Sequence, residues 1–128
     1  MIVILHYGDW ALTERCLAAL GCDEPVTVVM NAPGPDVDGV RVLRPPRNLG
    51  FAAGCNLAAE GVTDDLLCFL NNDTVPEPGW WDLLTDPFAD PQVAVTGAHL
   101  YRPDGMTDRK STRLNSSHIQ KSRMPSSA

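Results

Sequence analysis

The first 108 residues contain neither lysine nor serine. The missing lysine excludes a P-loop, which needs Gly-Lys-Ser/Thr, and no G-x-G-x-x-G dinucleotide fingerprint occurs either. No apolar run is long enough to cross a membrane, and the N-terminal residues 1–5 lack the basic leader of a signal peptide. The four cysteines form no CxxC pair. We therefore expect buried, reduced thiols of a cytosolic protein rather than disulfides or a zinc site.

Charge divides the chain into two parts. Residues 1–108 hold all 16 acidic residues and five arginines, whereas residues 109–128 hold five basic residues, six serines and no acid. Two explanations of residues 109–128 are open: a basic, disordered interaction arm, or a segment that is not native to the gene. We expect the second, because residues 111–118 resemble translated linker sequence. The acidic body argues against a nucleic-acid partner.

The length of 128 residues suits one small domain. Short apolar runs alternate with helical patterns, which predicts an α/β fold: a three-layer, Rossmann-like, mostly parallel sheet. A helix is predicted after its cap Asp9, another within residues 48–60, and a short one from Pro76 onward. The predicted strands are residues 2–6, 25–30, 39–43, 66–70 and 93–96.

The predicted strand 66–70 is apolar throughout and ends on Asn71-Asn72-Asp73. Such a run suits a strand that is buried on both faces of a parallel sheet. Ligands of open α/β sheets bind beyond the carboxyl ends of the strands, so Asp73 is a candidate functional residue. The alternative is that Asp73 is only a turn or helix-capping residue.

A second candidate segment is Asn-Leu-Gly-Phe-Ala-Ala-Gly-Cys-Asn at residues 48–56. Gly50 and Gly54 allow close backbone approach at a helix start, where N–H groups and the helix dipole favour a phosphate. The alternative is that these glycines only permit tight packing of the helix on the sheet.

Together these segments resemble the family 2 glycosyltransferases of the GT-A fold, particularly the bacterial rhamnosyltransferase-like branch. The resemblance runs from residue 1 to about Gly105 and is carried by residues 3–7, 12–17, 28–32, 48–56, 70–75 and 78–80. It implies transfer of a sugar from a dTDP- or UDP-linked donor to a hydroxyl of a saccharide or lipid-linked acceptor. Cell-wall polysaccharide biosynthesis is the implied setting.

The resemblance also implies roles for individual residues. Asp73 would hold Mg²⁺ or Mn²⁺ against the donor's diphosphate oxygens, the ligands that such hard cations prefer. The position before Asn31, usually aspartate in the family, is Met30 here, which removes an expected polar contact to the nucleoside. The implied donor-binding residues are Tyr7, Asn31, Asn48, Gly50, Gly54, Asn56 and Asn72.

Five further residues have two interpretations each. His6 either contacts the nucleotide base or is a structural histidine at a strand end. Asp36 either replaces the missing aspartate or only shapes a turn, and Arg47 either meets phosphate or is solvated. Trp80 and Trp81 either stack on a sugar or fasten their helix to the sheet.

The aspartate general base of this family is expected beyond residues 93–96, so no catalytic residue is assigned. We therefore expect residues 1–108 to be the GT-A nucleotide-sugar-binding portion of a glycosyltransferase, with little activity of their own. Its expected location is the cytoplasm, with peripheral contact at the inner membrane face open for the full-length enzyme. The alternatives are a non-catalytic sugar-nucleotide or carbohydrate-binding module and, more weakly, a nucleotidyltransferase.

Overall fold

A computed structural model of the chain describes residues 1–102 and residue 104, and the predictions for residues 109–128 lie outside them. The chain divides after Pro78 into two compact units. The first contains β1 (Ile2–His6), α1 (Trp10–Ala18), β2 (Val26–Met30), β3 (Arg41–Leu43), α2 (Gly50–Ala59) and β4 (Cys68–Asn71). The second contains α3 (Trp80–Thr85) and the 3₁₀ helix Asp86–Ala89. No helix in the described part of the chain is long and apolar enough to span a membrane.

The four strands of the first unit form one parallel sheet in the order β3-β2-β1-β4. The register places His6 beside Met30 and Leu5 beside Asn71, so three strands end at the same edge. The predicted α/β class with a parallel, Rossmann-like sheet is therefore confirmed. This edge carries the polar residues that the sequence singled out.

β1 lies at the centre of the core and is buried along its whole length. Its odd-numbered residues Val3 and Leu5 pack with Cys55 and Ala58 of α2. Helix α1 covers the other side, where Thr13 and Cys16 are buried. Both faces of β1 are thus covered by helices, which explains why its sequence is apolar without alternation.

Helix α1 begins as predicted. The side chain of Asp9 accepts a hydrogen bond from the backbone N–H of Ala11 at 3.0 Å, which satisfies one of the first free amides of the helix. Gly21, with φ of +57°, follows the helix in the left-handed conformation that glycine commonly adopts after a helix end. The predicted cap at Asp9 is therefore confirmed.

Two strand predictions were wrong in detail. The segment that ends in β4 is not buried on both faces: Phe69 is 45% exposed, and β4 pairs only with β1 among the described residues. Residues 93–96 form no strand, and only Val95 makes an isolated bridge. In this segment the backbone N–H of Val93 donates to the carbonyl of Asp90, which closes a turn. The Thr96 hydroxyl donates to the carbonyl of Leu84 in helix α3. These bonds replace the strand pairing that was predicted.

All four cysteines are free thiols; Cys16 and Cys55 are buried as expected, whereas Cys22 and Cys68 are only half-buried. Burial raises the pKa of the Cys68 thiol to about 11; the Met1 ammonium opposes the rise and Cys22 adds to it. The pKa of Cys16 and the pKa of Cys55 are also raised, and desolvation is the largest cause for both.

These raised thiol pKa values predict that stability falls in alkali. The unfolded Cys68 thiol ionises at its ordinary pKa of 9.0 while the folded one stays neutral up to about 11. The contribution of Cys68 is therefore complete below pH 9 and is lost as pH rises towards 11. Urea unfolding measures the free energy of unfolding at pH 8 and at pH 10.5. The decrease between the two pH values should be smaller for Cys68→Ala than for the unchanged chain. Equal losses in the two proteins would contradict this assignment.

Candidate functional site

A cleft of about 290 Å³ lies where β1, β2 and β4 end and α2 begins. This is the edge at which ligands of parallel α/β sheets bind. The residues that line the cleft are Leu5, Tyr7, Asn31, Asn48, Gly50, Phe51 and Asn71. Four of the seven predicted donor-binding residues, Tyr7, Asn31, Asn48 and Gly50, are thus brought together.

The side chain of Asn31 connects the end of β2 to the loop that precedes α2. Its Oδ1 accepts a hydrogen bond from the backbone N–H of Leu49 at 3.1 Å, and its Nδ2 donates to the carbonyl of Gly50 at 3.0 Å. Within the loop, Asn48 Oδ1 accepts from the N–H of Gly50 at 2.8 Å. Both asparagines therefore shape this wall of the cleft in addition to any contact with a ligand.

Gly50 and Gly54 have different structural roles. Gly50 has φ of +73°, a conformation that favours glycine, and it is the first residue of α2. A Cβ at Gly54 would lie 2.7 Å from Cδ2 of Leu5, so this glycine allows α2 to approach β1 closely. The packing interpretation therefore describes Gly54, whereas Gly50 shapes the cleft.

Phe51 is a cleft residue that sequence reasoning missed. It precedes Gly54, Cys55 and Ala58 at helical spacing, and these three are the buried residues of α2. Phe51 is nevertheless 58% exposed, because it stands in the first turn of the helix, where it lines the cleft. The available signal was an aromatic residue that continues the apolar face of a helix into its first turn.

The tip of β4 is a tight turn that is connected to β1 and α1. The Thr74 hydroxyl donates to the carbonyl of Asn71 at 2.7 Å, and the Thr74 N–H donates to the same carbonyl at 3.2 Å. Asn72 Nδ2 donates to the carbonyl of Tyr7 at 2.9 Å and to Oγ1 of Thr13 at 3.0 Å. Asn72 is thereby held against the end of β1, next to the cleft residue Tyr7.

Asp73 is exposed within this turn and is not among the residues that line the cleft. Its charge acts on the Cys16 thiol below, whose pKa is raised first by burial and further by the Asp73 carboxylate, while a hydrogen bond with Thr74 opposes the rise. Asn56 is exposed on α2 and also lies outside the lining. The predictions for Asp73 and Asn56 therefore stay predictions.

The residues at the tip offer a divalent cation only part of a coordination shell. No group of three His, Cys, Asp or Glu side chains within residues 1–102 and 104 could hold a metal ion. Asp73 supplies a carboxylate, and Oδ1 of Asn72 accepts no hydrogen bond from the described residues. Such oxygen donors suit Mg²⁺ or Mn²⁺, provided that a ligand's phosphate oxygens and water complete the shell.

The remaining candidates are distributed as follows. His6 is fully buried, which favours a structural role over direct contact with a base. The Asp36 carboxylate accepts a hydrogen bond from exposed Arg44 at 2.7 Å, and Arg47 is exposed in the loop before α2. Trp80 and Trp81 lie edge to face at 5.5 Å between ring centres in the second unit.

Comparisons with known proteins identify relatives over part of the chain. The chain is 34% identical over 61 residues to proteins named pre-mycofactocin glycosyltransferase from two strains of Mycobacterium tuberculosis. The matched region is 48% of this chain but only 13% of each relative, so the chain spans a small part of their length. No solved structure gives a significant match.

A family model described as glycosyl transferase family 2 matches residues 23–127. That match covers well over half of the chain and includes the cleft-lining segment from Asn31 to Phe51 as well as the tip of β4. The protein therefore belongs to glycosyl transferase family 2, whose reaction moves a sugar from a nucleotide-sugar donor to an acceptor.

Proposed function

We propose that the cleft binds the nucleoside diphosphate of a dTDP- or UDP-linked sugar, and that the chain is the donor-binding part of a glycosyltransferase. The observation that carries the proposal is the position of the cleft. It opens at the carboxyl edge of a parallel sheet, beside a tip that bears a carboxylate. Binding at such an edge is the general behaviour of open α/β sheets.

Two aromatic rings support binding of a nucleoside in this cleft. Tyr7 is 64% exposed and Phe51 is 58% exposed, although both rings line a concave surface. Exposed aromatic rings bind nucleobases by stacking, and each base that stacks contributes about 1–3 kcal/mol. A base between Tyr7 and Phe51 would cover apolar surface that the described residues leave open.

The charge of a diphosphate requires compensation that the cleft does not supply. Its lining contains no lysine or arginine, and residues 1–108 have 16 acids against five arginines. We assign Asp73, with Oδ1 of Asn72, to hold a Mg²⁺ or Mn²⁺ ion together with the donor. Such an ion neutralises the negative charge of the departing nucleoside diphosphate.

The acceptor side of the reaction has no assigned residues. The cleft lining contains no carboxylate or histidine that could deprotonate an acceptor hydroxyl. We therefore expect this chain to bind donor and to transfer sugar poorly. For the full-length enzyme, the proposal also includes a rhamnosyl donor and a saccharide or lipid-linked acceptor in cell-wall synthesis. It further includes a peripheral position at the inner membrane face.

Calorimetric titration of the whole chain tests the proposal. UDP, dTDP and their sugar conjugates should bind at least about tenfold more tightly with Mg²⁺ or Mn²⁺ than with EDTA, a difference of about 1.4 kcal/mol. Binding that is equal with and without divalent metal would contradict it, as would no binding at all.

A non-catalytic nucleotide-sugar-binding module is the second candidate, favoured by the absence of a base among the cleft residues. Product analysis after incubation with donor and simple sugar acceptors separates the two. Metal-dependent binding without any transferred sugar indicates a binding module or a donor-binding fragment. Efficient transfer would show that a base exists outside the cleft described here.

A further inference from the structure

A chain of side-chain hydrogen bonds connects the end of β1, through α1, to the tip of β4. His6 is fully buried and contacts the Thr13 hydroxyl through Nδ1 at 2.8 Å and the Pro33 carbonyl through Nε2 at 3.1 Å. The Thr13 hydroxyl in turn lies 3.0 Å from Nδ2 of Asn72. Three elements, β1, α1 and the turn after β4, are joined by these contacts.

With His6 as a neutral imidazole, the donors and acceptors in this chain have one consistent direction. The Pro33 carbonyl can only accept, so Nε2 of His6 carries the proton and donates to it. Nδ1 of the same ring is then an acceptor, and it receives the hydroxyl proton of Thr13. The oxygen of Thr13 is thereby left to accept from Asn72, and the distance of 3.0 Å fits that bond.

This direction determines how the carboxamide of Asn72 is oriented. The Tyr7 carbonyl and the Thr13 oxygen each take one hydrogen of Nδ2, at 2.9 Å and 3.0 Å. Rotation of the carboxamide by 180° would set Oδ1 against the Tyr7 carbonyl, and two acceptors repel each other. With both N–H groups used, Asn72 presents only Oδ1, an electron-rich oxygen, to a ligand.

We propose that Thr13 and His6 are positioning residues that act through Asn72 and keep its Oδ1 available to the bound donor. The proposal rests on the proposed function, because the donor is what Oδ1 would meet. Oδ1 suits either a divalent cation or a hydroxyl group of the nucleoside, since both seek an oxygen acceptor. Neither Thr13 nor His6 needs to touch the donor, and both are fully buried.

Substitution of Thr13 tests this role. Thr13→Val keeps the shape but removes the hydroxyl, and one N–H of Asn72 then lacks its partner. We expect the Thr13→Val variant to bind UDP or dTDP about tenfold more weakly than the unchanged chain, a difference of about 1.4 kcal/mol. The Thr13→Ser variant keeps the hydroxyl, and its dissociation constant should stay within about twofold of that of the unchanged chain. A loss confined to titrations with Mg²⁺ indicates that Oδ1 meets the cation, and an equal loss in EDTA indicates a nucleoside hydroxyl.

A double-substitution cycle separates positioning from general destabilisation. If Thr13 acts through Asn72, Thr13→Val should change nucleotide affinity little when Asn72→Ala is already present. A purely structural role would lower the unfolding temperature but leave the dissociation constant unchanged well below it. Unchanged affinity in Thr13→Val, or a loss that persists in the Asn72→Ala background, would overturn the proposal.

The state of the histidine ring gives a measurement that does not depend on nucleotide binding. Nitrogen-15 NMR of the ring should find His6 as the Nε2–H tautomer in the unliganded chain. Finding the proton on Nδ1 would overturn the relay even if nucleotide binds. Conversely, the expected tautomer in a chain that binds no nucleotide would refute the proposed function and leave the hydrogen-bond chain intact.

Discussion

Replacing Gly54 with valine is expected to destabilise the chain by about 1–3 kcal/mol, the usual cost of added volume in a well-packed core. A Cβ at this position lies 2.7 Å from Cδ2 of Leu5 and 3.5 Å from Nδ2 of Asn31. Leu5 belongs to the core between β1 and α2 and also lines the cleft, so the new side chain must push its methyl group out of the core packing and towards that cleft. Urea unfolding followed by circular dichroism measures the loss.

The matched control for Gly54→Val is Ala53→Val, which places the same β-branched side chain on the exposed face of the same helix. Its cost should stay below about 1 kcal/mol, the size of a helix-propensity effect.

A second test combines Gly54→Ala with Leu5→Ala. The double variant should be less destabilised than the sum of the single ones, because Leu5→Ala removes the atom that the new Cβ would meet. Equal losses at positions 53 and 54 would refute the close approach of α2 to β1.

The second large effect is expected for Asp73→Asn. We expect this change to abolish most of the metal-dependent gain in nucleotide affinity, at least about tenfold or 1.4 kcal/mol, because it removes the single carboxylate assigned to the cation. Affinity measured in EDTA should change little or improve, since a negative charge near the diphosphate is also removed. Calorimetric titration with UDP and dTDP in both conditions gives the two values.

Asp65→Asn is the matched control, because Asp65 is exposed just before β4 whereas Asp73 follows it. It makes the same change in net charge and should leave the metal-dependent gain in nucleotide affinity intact.

A probe that needs no nucleotide is the Cys16 thiol, whose pKa the Asp73 charge raises. Asp73→Asn should lower that pKa, although burial still keeps it above 9.0. If metal dependence survived Asp73→Asn while the Cys16 pKa fell, the cation would be held elsewhere.

Local sequence signals were sufficient for most of the sheet and helices. The apolar runs of β1 and β2 and the cap at Asp9 depend on neighbours in sequence, and the structure contains all three. The exposure of β4 was not predictable in this way. An apolar segment has the same pattern whether or not other elements cover both faces of its strand, and the edge strand β4 leaves Phe69 exposed.

The candidate site was predicted in part for a related reason. The family resemblance implied donor-binding roles for Asn31 and Asn48, and both residues line the cleft. That Asn31 reaches across to Leu49 and Gly50 could not be foreseen, because such a bond depends on how β2 and α2 are placed in space. The exposed ring of Phe51 and the bond between Asn72 and Thr13 depend on tertiary placement in the same way. Residue types pointed to the edge of the sheet where the cleft lies, whereas the partners of each side chain required coordinates.

The bridge from Asn31 to the loop before α2 has a thermodynamic consequence for recognition. A loop that is already ordered in the empty protein loses little conformational entropy when a ligand arrives, so more of the contact energy appears as affinity. Removing the bridge should therefore make association more costly in entropy while leaving the contacts themselves in place. Under the proposed function, the asparagine at the end of β2 would thus act on affinity before any nucleotide is present.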